Sequence, residues 1–305
     1  MIRERPTGKI WRLCARLSGE GGEEIVKVVS FDRLSVLNLH YHQFTLEYFL
    51  DRMAELGIRN VELLGGHQGL WLDPKEFQDP EPVRRMLEER GLSCPVFTPQ
   101  NCRFGYQYGA KEPELIEKTF GFFSSGIRLA AALGAKYMEA NAGWGYWDEP
   151  EEDGIKRTVE MHRRLAEVAA EYGVTIVAES LRPQESKIGC RIDQMKEIFD
   201  GVGHENFKVM IDLTAMAVAG ETIDQWFKVF GRENIAHAHF QDCSPYGHYI
   251  WGQGTRNLRR DLEEMVSHGY EGYFTQELTD PAYYFDPFKY DRINIRNLKM
   301  YTEEA

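Results

Sequence analysis

The sequence predicts a single closed (β/α)8 TIM barrel, an α/β fold, because strand-like and helix-like segments alternate strictly along the 305 residues. Eight short apolar or β-branched runs are each followed by a longer segment of helical period. Several helices end at a glycine just before the next strand, where a residue without Cβ closes a helix easily. The predicted strands are Leu34–Tyr41, Asn60–Leu64, Ser93–Thr98, Lys136–Ala140, Thr175–Glu179, Phe207–Asp212, Ile235–Phe240 and Tyr273–Leu278. The predicted helices lie near residues 45–56, 82–90, 114–133, 154–172, 193–200, 222–230, 257–268 and 287–303. The glycines that end helices are Gly57, Gly91, Gly134, Gly173 and Gly269.

An open, doubly wound sheet is the alternative to the barrel. It needs a G-x-G-x-x-G turn after its first strand, and this chain has His42-Gln43-Phe44 there instead. We therefore expect residues 33–305 to form the barrel domain and residues 1–32 to be an N-terminal extension outside it. Residues 19–24 of the extension predict a loop, and residues 25–31 predict an edge strand or part of the first barrel strand.

Composition and charge exclude several classes of protein. The chain has 36 Lys and Arg against 48 Asp and Glu, a net charge of −12, with 43% hydrophobic residues, which is typical of a globular protein. The negative charge opposes nucleic-acid binding, which depends on Lys and Arg. No apolar run is long enough to span a bilayer, and residues 1–18 lack the apolar stretch of a secretory signal. We expect a cytoplasmic protein with no membrane or nucleic-acid partner.

The cysteines support the same location. They are five in number, scattered along the chain, and none forms a C-x-x-C pair. An odd, scattered set predicts reduced thiols rather than a disulfide framework or a cysteine zinc site. The cysteines are Cys14, Cys94, Cys102, Cys190 and Cys243.

Polar side chains end four consecutive predicted strands, the position where barrels of this kind place their working residues. Strands five to eight end in Glu179, Asp212, His239 and Glu277. A carboxylate at the end of an apolar strand is costly unless it is paired or bound to a metal. Three carboxylates and one imidazole suit a hard or borderline divalent ion. The pattern predicts a metal site, with Mn²⁺ as the first choice and Mg²⁺ or Co²⁺ as alternatives.

Two histidines compete for the ligand position on the seventh strand. His237 and His239 are two residues apart, so both point to the same side of a strand. His239 lies nearer the carboxyl end and is the predicted ligand. His237 is predicted to be a packed core histidine or a residue that supports the ligands.

These segments resemble the xylose-isomerase-like TIM-barrel superfamily of sugar isomerases and epimerases over roughly residues 33–300. The stretch Glu179-Ser-Leu-Arg-Pro-Gln-Glu185 is similar to one in which the first metal glutamate precedes a substrate-binding glutamate by six residues. His239-Phe-Gln-Asp242, followed by Gly252-Gln-Gly254, resembles the H-x-x-D and G-x-G segments of the family. Residues 61–66, 98–99, 248–250 and 271–277 are similar in particular to fructoselysine 3-epimerases. The α subunits of C-glycoside deglycosidases resemble the same broad group.

The resemblance implies a mechanism. A sugar places two adjacent oxygens on the metal, which polarises the carbonyl and stabilises an enediolate. Glu179 and Glu277, on opposite sides of the sugar carbon, remove and return the proton. Asp212 and His239 are ligands only, and Glu185 holds a substrate hydroxyl or orients a ligand.

Departures from the family pattern bear on the substrate. Psicose-type epimerases have a histidine three residues after the metal aspartate and an arginine six residues after the metal histidine. This chain has Ala215 and Pro245 at those positions, which disfavours a free ketohexose. Fructoselysine epimerases have a histidine where this chain has Asn141, which we predict to contact substrate.

Further substrate contacts are predicted from the loops at the mouth of the barrel. These loops are rich in rings, on which sugars and bulky aglycones stack. The rings are Phe104, Tyr106, Trp144, Tyr146, Trp147, His248, Tyr249 and Trp251. Together with His67, the members that we predict to bind substrate are His248, Trp144 and Trp251.

The leading functional hypothesis is a divalent-metal-dependent isomerase or epimerase that acts on a ketose or substituted ketose. An alternative is the catalytic α subunit of a C-glycoside deglycosidase, which would cleave 3-oxo-C-glycosides and need a small β subunit. An abasic-site endonuclease shares the barrel but needs more histidines at strand ends, and a sugar-binding module would not need four intact ligands. From the family we also expect a homo-oligomer.

Overall fold

Eight parallel strands close into a barrel in the computed structural model, which describes residues 28–66 and 69–303. The first strand of the barrel pairs with both the second and the last, so the sheet has no free edge. This is the (β/α)8 TIM barrel that the alternation of the sequence predicts. The barrel strands are β2 (Leu34–Leu37), β3 (Asn60–Gly65), β4 (Ser93–Pro99), β5 (Tyr137–Asn141), β6 (Thr175–Glu179), β7 (Phe207–Asp212), β8 (Ile235–His239) and β11 (Phe274–Gln276).

Helices surround the barrel, and their apolar residues pack against its outer face. Phe49, Ile127 and Leu165, from three of these helices, are completely buried. Burying a side chain of this size contributes about 1.5–3 kcal/mol. None of the helices within the described residues has the length and apolar character needed to cross a bilayer. The helices are α1 (Leu46–Leu56), α2 (Glu81–Glu88), α3 (Pro113–Ala132), α4 (Glu151–Glu171), α5 (Ile192–Val202), α6 (Leu213–Ala219), α7 (Ile223–Phe230), α8 (Leu258–Ser267) and α9 (Pro287–Lys299).

Two short stretches differ from the prediction. The first barrel strand ends at Leu37 rather than Tyr41, because Asn38–Tyr41 form a 3-10 turn and Asn38 Oδ1 accepts a hydrogen bond from Leu64 N at 2.7 Å. Helix α6 was not predicted. It begins at once after β7 because Asp212 caps it, accepting a hydrogen bond from the backbone of Ala215. Asp212, a predicted metal ligand, therefore also caps a helix.

Short strands outside the barrel join the two ends of the described chain. β1 (Val29–Ser30) pairs in parallel with β12 (Thr302–Glu303). Arg33, next to β1, donates hydrogen bonds to the carbonyl oxygens of Tyr270 and Gly272. Two further short strands, β9 (Asp242–Cys243) and β10 (His248–Tyr249), form a hairpin in the loop after β8.

A buried histidine behind β5 should make the fold sensitive to acid. His162 of α4 is fully buried, bonds the carbonyl of Asn141 at 2.8 Å, and has its pKa lowered from 6.5 to about 4 by burial. Between pH 6.5 and 4, the unfolded chain therefore binds a proton at His162 and the folded chain does not. We expect the free energy of unfolding to be intact above pH 6.5 and to fall by about 3 kcal/mol as the pH drops from 6.5 to 4.

Urea unfolding between pH 7 and pH 4 measures this effect. His162→Gln should flatten the loss between pH 6.5 and 4, although it lowers stability at neutral pH. His42→Gln, which removes an exposed imidazole, is the matched control and should keep the wild-type profile. A His162→Gln profile parallel to the wild type would contradict the assignment.

Candidate metal centre

Four polar side chains converge at the carboxyl end of the barrel. Three of them end the neighbouring strands β6, β7 and β8, and the fourth directly follows β11; the register pairs Asn141 with Glu179 and Asp212 with His239. Each side chain offers a ligand atom, and these atoms all lie within 4.8 Å of one another. The residues that the structure brings together here are Glu179, Asp212, His239 and Glu277.

His239 is at the centre of this cluster. Its Nδ1 lies 2.5 Å from Glu179 Oε1 and 3.3 Å from Glu277 Oε2. His239 is almost completely buried, whereas the side chains of the two glutamates are each 13% exposed toward the mouth. Asp212 Oδ2 accepts a hydrogen bond from Gln241 at 2.7 Å, and its Oδ1 caps α6. His239 and Asp212 are therefore held from behind by Glu62 and by Gln241 with the start of α6.

The charges of the cluster are unbalanced without a cation. Burial, opposed by His239 and reinforced by Glu277 and Asp212, raises the pKa of Glu179 to about 8. The pKa of His239 is raised well above its ordinary value: burial opposes this, and the surrounding glutamates outweigh it. Three carboxylates packed around one imidazole repel one another. A divalent cation would relieve this repulsion, and the donor set of oxygen atoms with one nitrogen fits Mn²⁺, Mg²⁺ or Co²⁺.

A second layer of polar residues lies beneath the cluster, inside the barrel. Glu62, at mid-strand in β3, accepts hydrogen bonds from His237 at 2.7 Å, from His239 at 3.1 Å and from Thr98 at 2.6 Å. His237 is buried and contacts Glu62 rather than the four clustered residues. The role of Glu62 was missed, although a glutamate in the middle of the apolar run Val61–Leu64 was a visible signal.

A neighbouring network involves a second buried glutamate, Glu139 of β5. Its Oε2 accepts a hydrogen bond from Asn101 at 2.5 Å, and Asn101 in turn accepts one from Asn141 at 2.9 Å. Burial, with Glu179 nearby, raises the pKa of Glu139 well above its ordinary value. The Asn141 side chain also accepts from Gly143 N at 2.8 Å. Asn141, predicted to contact substrate, is thus buried and already engaged.

The rim carries an ion pair that the sequence analysis did not foresee. Glu185 was predicted to hold a substrate hydroxyl, but Arg182 grips both of its carboxylate oxygens, with Nε at 2.8 Å from Oε2. The pair is largely buried, and Arg182 outweighs burial to lower the pKa of Glu185. The thiol of Cys102 lies 3.6 Å from Glu185 Oε1. Arg182, rather than Glu185, has N–H groups turned toward neighbouring residues of the rim.

His248 is closer to the cluster than a loop residue need be. Its Nε2 lies 3.1 Å from Glu277 Oε2 and 3.3 Å from Asp212 Oδ2. Its Nδ1 lies 2.9 Å from Thr279 Oγ1 and 3.5 Å from Arg182 Nη1. His248 thus lies between the Arg182–Glu185 ion pair and two of the clustered carboxylates, those of Glu277 and Asp212.

The loop that carries His248 is fixed by one buried carboxylate. Asp242 accepts hydrogen bonds from the backbone N–H groups of Cys243, Gly252, Gly254 and Arg256, at 2.7–3.0 Å. A Cβ at Gly254 would collide with the Asp242 carboxylate, so only glycine lets the backbone come this close. The H-x-x-D and G-x-G segments therefore meet in space.

Three of the predicted substrate contacts, Trp144, Trp251 and His67, differ in where they lie. Trp144 is partly exposed, although its Nε1 atom is buried and has no hydrogen-bond partner among the described residues. Trp251 is only 1% exposed, packs on Phe240 and donates its Nε1–H to the carbonyl of that residue. The predicted substrate contact by Trp251 is corrected accordingly, because its ring is part of the packing. His67 lies outside the described residues.

Comparison with known proteins gives the family. The model of the xylose isomerase-like TIM barrel family matches residues 50–299, most of the chain. The chain belongs to this family. Its curated relatives include fructoselysine 3-epimerase of Shigella flexneri, 23% identical over 266 residues, which cover 87% of this chain and 96% of that protein.

Two further comparisons show the range of the family. Probable endonuclease 4 of Shouchella clausii is 28% identical over 203 residues, covering 63% of this chain and 64% of that protein. Among solved structures, D-psicose 3-epimerase of Clostridium cellulolyticum H10 with D-tagatose has a TM-score of 0.74 and 17% identity. The match covers 88% of this chain and 98% of that one, and it shows the shared fold.

Proposed function

We propose that the protein is a divalent-metal-dependent sugar isomerase or epimerase that moves a proton at a carbon next to a carbonyl of a ketose or substituted ketose. The observation that carries the proposal is the convergence of Glu179, Asp212, His239 and Glu277 at the barrel mouth within 4.8 Å. The similarity to a fructoselysine 3-epimerase over 87% of the chain supports the same class of reaction. The net charge of −12 disfavours the DNA substrate of an endonuclease.

The four clustered residues would hold the cation. Bound there, a divalent cation supplies Lewis-acid polarisation of the substrate carbonyl, and we favour Mn²⁺ because the donors are mainly carboxylate oxygens. Asp212 and His239 serve as ligands alone, since each is buried and tied to the barrel.

The two glutamates would move the proton. Glu179 Oε1 and Glu277 Oε2 face His239, whereas no described residue hydrogen-bonds Glu179 Oε2 or Glu277 Oε1. These two oxygens are therefore available to a substrate. One glutamate takes the proton from the carbon, and the other returns a proton from the opposite side, which inverts the centre.

The rim would orient the sugar. His248 and Trp144 are the contacts that we retain, because His248 lies beside the cluster and the Trp144 side chain is partly exposed. Arg182 joins them as a donor to sugar oxygens, and Glu185 would hold its guanidinium in place.

Solvent exchange tests this proposal. The Mn²⁺-loaded protein is incubated in D2O with a panel of free ketoses, fructosamines and 3-oxo-C-glycosides, and products are analysed by NMR and mass spectrometry. We expect deuterium to appear at the carbon next to the carbonyl of a ketose or fructosamine. Cleavage of a 3-oxo-C-glycoside would instead support the deglycosidase alternative. The incubation is then repeated with any small chain that co-purifies with the protein. Absence of both in the presence of bound metal would overturn the proposal.

Oligomeric state and compartment follow as lesser proposals. We propose a homo-oligomer in the cytoplasm, consistent with free thiols at Cys94, Cys102, Cys190 and Cys243. Light scattering of the purified protein distinguishes the oligomer from a monomer of 35.3 kDa.

A further inference from the structure

A buried carboxylate beneath the proposed metal centre has no direct place in the proton transfer. Glu62 lies in β3, on the other side of the barrel from β8, and is 0% exposed. An isolated carboxylate in such a place is strongly disfavoured unless hydrogen bonds satisfy it. Its burial therefore needs an explanation in terms of the groups that it contacts.

Three hydrogen bonds satisfy Glu62. Thr98 Oγ1 lies 2.6 Å from Oε1, His237 Nε2 lies 2.7 Å from Oε2, and His239 Nε2 lies 3.1 Å from Oε1. A carboxylate has lone pairs on both oxygens, so Glu62 can accept from the Thr98 hydroxyl and from an Nε2–H of each histidine.

The direction of these bonds fixes the chemistry of His239. If Nε2 of His239 carries the hydrogen, a neutral ring has its lone pair on Nδ1, which faces Glu179 and Glu277. The opposite tautomer would set a bare Nε2 against Glu62 Oε1 and point an N–H at the ligand cluster. Only the first tautomer leaves a lone pair for a cation.

We propose that Glu62 is a positioning residue that holds His239 in the Nε2–H tautomer and so presents Nδ1 as a metal ligand. His237 bonds Oε2 of Glu62, and Thr98, on the neighbouring strand β4, bonds Oε1. Both contacts keep the carboxylate in place. This inference rests on the metal role of His239 in the proposed function. It adds that the affinity for the cation is set in part by a residue that does not touch it.

The test measures binding of Mn²⁺ alone, with no sugar present. Free Mn²⁺ is followed by its EPR signal as metal-free protein is titrated at constant pH. We expect Glu62→Gln to weaken binding about 10- to 100-fold, since an amide oxygen is a poorer acceptor and its NH2 group opposes the donors. Glu271→Gln is the matched control, because it makes the same chemical change at an exposed glutamate; we expect its affinity for Mn²⁺ to equal that of the wild type.

A second readout addresses the tautomer itself. With Mg²⁺ as a diamagnetic ion, ¹⁵N NMR of histidine-labelled protein should show His239 protonated at Nε2 in the wild type and in Glu271→Gln. In Glu62→Gln this signal should weaken or exchange. If Glu62→Gln does not fold, as judged by circular dichroism, Glu62→Asp replaces it, with the charge kept and the reach shortened by one methylene. Its binding should also weaken.

The outcomes separate this inference from the proposed function. Wild-type affinity in a folded Glu62→Gln or Glu62→Asp variant, or His239 protonated at Nδ1, would overturn the positioning role while leaving the sugar reaction untouched. A wild-type protein that binds neither Mn²⁺ nor Mg²⁺ would overturn both. Weakened binding with no exchange of any sugar would support Glu62 and count against the proposed substrate class.

Discussion

Replacement of Glu277 by glutamine should abolish exchange of the substrate hydrogen with solvent, with a loss of at least about 10³-fold in rate. The amide cannot take the proton, and a single general base contributes about 10²–10⁴-fold. Glu277 also lies 3.1 Å from His248 and 3.3 Å from His239, so its loss disturbs the cluster as well. The measurement is the initial rate of deuterium incorporation into the sugar that exchanges with the wild type.

Metal content must be measured on the same sample, because Glu277 is both a proposed ligand and a proposed base. Saturating Mn²⁺ separates the two roles: a variant that binds metal but does not exchange has lost the base. Glu271→Gln makes the same chemical change at an exposed glutamate and should exchange at the wild-type rate. A Glu277→Gln variant that keeps more than a tenth of the rate would remove Glu277 from the mechanism.

Removal of the cation should eliminate the activity and lower the stability together. The three carboxylates among the four potential ligands, at the ends of β6 and β7 and just after β11, repel one another when no cation is present. We expect dialysis against EDTA to reduce exchange to background and Mn²⁺ to restore it. At a free Mn²⁺ concentration of 100 times the Kd, binding should stabilise the fold by about 2.7 kcal/mol.

Thermal unfolding with and without Mn²⁺ checks the second part. Asp212→Ala removes a proposed ligand, so the Tm of this variant should not respond to Mn²⁺. The substitution also removes one of the three carboxylates that repel one another. A control with Ca²⁺ tests whether the site selects by ion size. Full exchange activity after exhaustive chelation would exclude a metal-dependent reaction.

Much of the fold could be predicted because its signals are local. The run Thr175–Glu179 is strand β6 as predicted, since β-branched residues between two helical segments favour a buried parallel strand. Gly57 and Gly173 have φ values of 75° and 68°, the left-handed conformation expected of a glycine that ends a helix. By contrast α6 has seven residues and directly follows β7, so no periodic pattern of useful length marks it.

The convergence of the four polar side chains could be predicted for a similar reason, because position on a strand fixes position at the mouth. The hydrogen-bond partners of Glu62 and Glu139 could not be predicted, because they come from β4, β8 and the loop after β4. Trp251 shows the opposite failure. A tryptophan between a histidine and a G-x-G segment looks like a sugar platform, but only the packing on Phe240 shows that its ring points inward.

The contact between Glu62 and His239 has a consequence for how the two halves of the barrel depend on each other. All four clustered residues come from the second half, between residues 179 and 277, and a fragment of that half would contain the whole donor set. Glu62 and Thr98 come from the first half. The second half therefore contains the four proposed ligands and the first half contains Glu62, so a fragment of the second half that kept all four would lack the proposed restraint on His239.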